Sequence, residues 1–75
     1  MLHETLEWVE RIKALKHQPT NVLHAWLKEL DQAPVPRGEF DLDIQNAAMI
    51  LIRSELTIRI VDQELEERER RMWPQ

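Results

Sequence analysis

The thirty residues from Leu42 to Arg71 contain no glycine and no proline, and within them runs the apolar stretch AAMILIRSELTIRIV, Ala47 to Val61. That continuity limits the fold more than any other feature of the chain. A membrane span needs about 20 mostly apolar residues, and Arg53, Glu55 and Arg59 interrupt this run. LTIRIV alternates and is β-branched, which favours a strand, but no turn signal flanks it to make a hairpin. The reading is a long helix from about Leu42 to Arg71.

At about 100° per residue, two apolar arcs emerge on that helix. One holds Ile44, Ala47, Ile50, Leu51, Ile58, Val61 and Leu65; the other holds Leu42, Met49, Ile52, Leu56 and Ile60. Charged residues separate them, with Glu55, Arg59 and Glu66 on one side and Arg53 and Glu64 on the other. Two stripes that face different directions need two partners.

The chain supplies one partner itself. Leu2, Leu6, Val9, Ile12 and Leu15 recur at helical spacing with Trp8 at their edge, predicting a helix over about 2–17. Pro19 ends it, and biases Gln18 towards extended angles. Val22, Leu23, Trp26, Leu27 and Leu30 predict a second helix over about 20–32, capped by Thr20 or Asn21. APVPRGEF then breaks the chain, giving a linker over 33–41, with Asp41 or Asp43 as the next cap.

The expected fold is therefore all-α: one helical domain over 1–75, a hairpin whose first arm is broken at Pro19 and packs on the long C-terminal helix. The two short helices together span about 42 Å, close to the long helix at 1.5 Å per residue, so end-to-end packing along one stripe is feasible. The other stripe is then bare. Leu42, Met49, Ile52, Leu56 and Ile60 are assigned to it, as the seam of a homodimer or the contact for a partner. The competing arrangement folds the two short helices separately, one onto each stripe of the long helix, as a compact monomeric three-helix bundle.

At 75 residues the chain buries only about 60% of its unfolded surface, and such small scaffolds are commonly supplemented by disulfides, metals or a second subunit. Cysteine is absent, which removes the first of these. A net charge of −4 argues against a general phosphate-backbone binder. The N-terminus MLHETLEWVERIK lacks the basic start and apolar run of a secretory signal, so a cytoplasmic protein without membrane contact is expected.

No motif reaches a named chemistry. HETLE lacks the second histidine of the zinc-protease signature, and Pro19 spoils the two-turn alignment of His17 with His24, so neither metal nor cofactor is expected. Asp31, Glu39, Asp41 and Asp43 have no serine or histidine beside them in a nucleophile arrangement, and no glycine-rich loop exists for phosphate. The chain reads as non-enzymatic, with no small-molecule substrate. PVPR is read as a stiff linker. Arg68, Arg70, Arg71 and Trp73 are residue types that anchor interfaces, and form a second candidate for partner binding.

These features point to a small interaction protein of the regulator, inhibitor or co-chaperone type that acts as a homodimer and binds another protein. The alternative is a DNA-associated regulator. The first two helices are joined by a short turn, as in a helix-turn-helix, and Lys13, Lys16, His17 and Lys28 form a small basic region.

Overall fold

The computed structural model describes residues 3–72, with side-chain surroundings from Thr5 onward. It contains α1 (His3–Lys13), a 3-10 turn (Leu15–His17), α2 (Thr20–Gln32) and α3 (Glu39–Met72), and no strand among the described residues. The molecule measures 56 × 18 × 17 Å. Its long axis is set by α3, whose 34 residues span about 51 Å.

Prolines place the breaks. Gln18 and Ala33 each precede a proline and are extended, at φ −90°, ψ 144° and φ −71°, ψ 144°. α1 tightens into the 3-10 turn before Gln18, so regular helix stops at Lys13 rather than His17. Pro19 itself is the N-cap of α2, and its carbonyl accepts the N–H groups of Val22 and Leu23 at 3.0 and 3.3 Å. Thr20 and Asn21 are thus inside the helix instead of capping it.

α3 begins at Glu39, three residues before the expected start, when the Leu42 N–H bonds the Gly38 carbonyl at 3.0 Å. Glu39 and Asp41 fall in its first turn, where negative charge suits the helix dipole.

The first arm is not straight. Arg11 of α1 reaches Glu29 of α2 at 2.6 Å, and Trp8 and Trp26 meet edge to face with centroids 6.3 Å apart. End-to-end helices would put residues 18 positions apart about 27 Å from one another. The chain instead reverses at Gln18–Pro19, so α1 and α2 lie antiparallel and side by side. Thr5 bonds Asp41 near the start of α3, while Lys16 and Thr20 meet Arg59 five turns further along. α1 therefore runs parallel to α3, and α2 runs back.

The three helices enclose one core. Trp8 and Leu15 enter from the first arm, Leu23 and Leu30 from α2, and Ala48, Ile52 and Leu56 from α3. Leu23 and Ile52 are the large side chains sealed completely, each contributing about 1.5–3 kcal/mol through burial. Ile12, Trp26, Leu27, Ile44 and Met49 pack around them.

This packing reverses the expected roles of the two stripes. Ile52 and Leu56, assigned to a free seam, lie in the chain's own core, and Met49 packs against it. Leu42 sits at the rim and Ile60 is exposed beyond the covered segment. Close packing at Ala48 and two long-range contacts, Thr5–Asp41 and Arg59–Thr20, account for it. Ala48 is small and fully buried beside Ile52, so the backbones of α1 and α2 can close on that side of α3.

A candidate interaction surface on α3

The α3 face turned away from α1 and α2 carries the other apolar arc. Ile50 is 64% exposed, Ile58 53%, Val61 46%, Leu65 50% and Met72 72%, with Leu51 among them. Leu51, Ile58, Leu65 and Met72 stand seven apart, and Ser54, Val61 and Arg68 interleave three residues after the first three. This is the a/d spacing that pairs helices in coiled coils. Exposed apolar rows of this kind are uncommon on monomeric proteins, which makes this one a candidate contact surface.

Beyond Arg59 α3 has no cover from α1 or α2, and every residue from Ile60 to Met72 is exposed. In isolation a helix of some 13 residues is marginal in water. Its support is the continuous backbone of α3 and side-chain pairs such as Glu66–Arg70 at 4.0 Å. Glu64–Arg68 and Glu67–Arg71 do not reach that distance in the structure. Arg68, Arg70 and Arg71 are exposed here, and Trp73, the fourth member of that candidate set, lies outside the described residues.

Polar contacts fix the covered end. Arg11 lies 4.5 Å from the Trp8 ring centroid and 5.4 Å from that of Trp26, and its guanidinium bonds Glu7 and Glu29. Trp8 and Trp26 are thereby committed to the α1–α2 seam. Lys13 pairs with Glu10. The basic region expected on the first two helices therefore has acids interleaved with it.

A cleft of about 470 Å³ opens beside this cluster, between Trp8, Arg11, Asp41 and the Pro34–Val35–Pro36 strap. Its charged groups are already engaged: Asp41 by Thr5, and Arg11 by two carboxylates. Among the described residues no buried polar side-chain atom lacks a partner. No three histidine, aspartate or glutamate side chains among them converge as metal ligands. No described helix is long and apolar enough to cross a membrane.

Within the bare row, Leu51, Ile58, Leu65 and Met72 repeat every seven residues, a signal legible in the sequence. The Arg11 sandwich has no comparable signature, since it depends on the reversal at Pro19. Comparison with known protein families, curated proteins and solved structures finds no match to this chain.

Proposed function

We propose that this chain is a non-enzymatic protein-binding module of the cytoplasm, of the regulator, inhibitor or co-chaperone type, that works as an α-helical homodimer. The observation that carries the reading is the uncovered row Ile50, Leu51, Ile58, Val61, Leu65 and Met72 on α3. Ile52 and Leu56 keep the monomer together, and this opposite row is what a second helix would cover.

Burial of the row is comparable in size to the cost of association. Each of the six side chains is about half exposed, so completing its burial contributes about 1 kcal/mol. Two copies then gain about 12 kcal/mol, set against roughly 4–15 kcal/mol of lost freedom on association. The net of these two figures runs from roughly −8 to roughly +3 kcal/mol, so the quality of packing along the row sets the affinity. Arg70 and Arg71 flank the end of the row, where they can contribute to binding a further protein, whereas Arg68 stands within the row itself.

Sedimentation tests the reading directly. At tens of micromolar, the expected mass is twice the 9.0 kDa of one chain. Ile58→Asp should return it to the monomer mass with helicity largely retained. A wild-type chain that stays monomeric throughout that range would overturn the proposal.

A further inference from the structure

We infer that the bare face of α3 is occupied by a second copy running antiparallel, with the two-fold axis between Arg59 and Ile60. The inference rests on the homodimer reading above and adds the orientation and register of the pair.

The residues of the row decide between the two directions. A parallel, in-register pair would place like against like. Ser54 would face Ser54 and leave a gap, Arg68 would face Arg68 at the seam, and Glu64 would lie beside the partner's Glu69. All three arrangements oppose association.

Reversed about the axis between Arg59 and Ile60, the same residues complement one another. Ile58 meets the partner's Val61, Ser54 meets the partner's Leu65, and Ala47 meets the partner's Met72. Small side chains then face large ones, as close packing requires. Arg68 lies against the partner's Leu51, and its side chain leans towards its own N-terminus, which brings the guanidinium towards the partner's Glu55. One kind of unfavourable approach is left, Glu55 with the partner's Asp62, and the two-fold axis repeats it. Glu55 is already held by Arg59 at 3.2 Å, which reduces its effective charge.

This register also uses the shape of the molecule. The overlap runs from Ala47 to Met72, about 39 Å, and takes in the full exposed row. The uncovered end of each α3 lies along the covered segment of the other. α1 and α2 sit on the opposite side of α3, around Ala48, Ile52 and Leu56, so they do not obstruct the approach. Sliding by one heptad either sets Arg68 against Ile44, which packs on its own core, or leaves Leu51 beyond the overlap.

Disulfide trapping reads the register, because the chain has no cysteine and a disulfide forms only when Cα atoms come within about 7 Å. Ser54→Cys and Leu65→Cys alter exposed or half-exposed positions outside the core, so the fold of each variant is retained. Mixed and oxidised, the two variants should give a cross-linked pair, while neither alone should cross-link. Self-linking by Ser54→Cys, or linking of Leu65→Cys only to Ala47→Cys, would overturn this register while leaving the dimer standing. A monomer mass with no cross-link in any combination would overturn the homodimer reading itself, and this inference with it.

Discussion

Arg59 and Thr20 are 39 positions apart in sequence, and the guanidinium of one donates to the hydroxyl of the other at 3.1 Å. The same guanidinium bonds Glu55 and approaches the Lys16 carbonyl, so one side chain ties the α1–α2 reversal to α3. Thr5 and Asp41 do the same at the other end, at 2.5 Å. The 18 residues between Asp41 and Arg59 make five helical turns, which places both ties on the same line of α3.

Removing Arg59 should loosen the reversal without emptying the core. Arg59→Ala is expected to cost about 1 kcal/mol, more than a typical exposed ion pair because three acceptors share the group. Arg59→Lys should recover only part of it, since an ammonium cannot bond in the directions a guanidinium fork does. Urea unfolding with unchanged m-value is the measurement; identical midpoints for all three proteins would contradict the tie.

The two faces of α3 should respond differently to truncation. Ile52→Ala empties a site that is 99% sealed and is expected to cost about 2–5 kcal/mol, by transfer and cavity terms together. Ile58→Ala should leave the unfolding of dilute monomer nearly unchanged and weaken self-association instead. Equal losses in dilute urea titrations would mean that the faces are not separate.

Gly38 touches the other tie. A Cβ there would stand 3.1 Å from Asp41 Oδ2, and Thr5 holds that carboxylate in place. Gly→Ala at a compatible position usually stabilises by about 0.4–1 kcal/mol. Gly38→Ala should fall short of that gain or destabilise in the wild-type chain, and recover it in a Thr5→Val background where Asp41 can move. A double-mutant cycle showing no coupling between the two sites would refute this.

Hydrogen exchange should divide α3 into two parts. Amides around Ala48–Leu56 should be protected at every concentration, because their helix is sealed by α1 and α2. Those from Asp62 to Met72 should exchange quickly in dilute solution and slow as the protein is concentrated. Tail protection that ignores concentration would argue against coverage by a second copy.

Much of the fold is written in local pattern. The period of three and four in α1 and α2, the prolines at 19, 34 and 36, and the uninterrupted run after Gly38 fix where helices form. The two-stripe character of α3 follows equally from residue spacing. Which stripe turns inwards does not, because both are apolar and of comparable width. Ala48, Thr5–Asp41 and Arg59–Thr20 decide it, and each acts only once the chain has reversed at Pro19. The side-by-side placement of α1 and α2 escapes a length argument for the same reason: length permits either arrangement, whereas the Trp8, Trp26 and Arg11 cluster is satisfied by only one.

Because α3 is a single unbroken helix, it also transmits angular phase like a shaft. One residue inserted after Thr57 would leave the local sequence on both sides intact, yet turn everything beyond it by about 100°. Val61, Leu65 and Met72 would no longer line up with Leu51, and the row would be cut in two. Seven inserted residues would come back within about 20° of the original alignment and lengthen the row instead. A whole inserted heptad beyond the covered segment would therefore keep the row continuous, and a single inserted residue would break it.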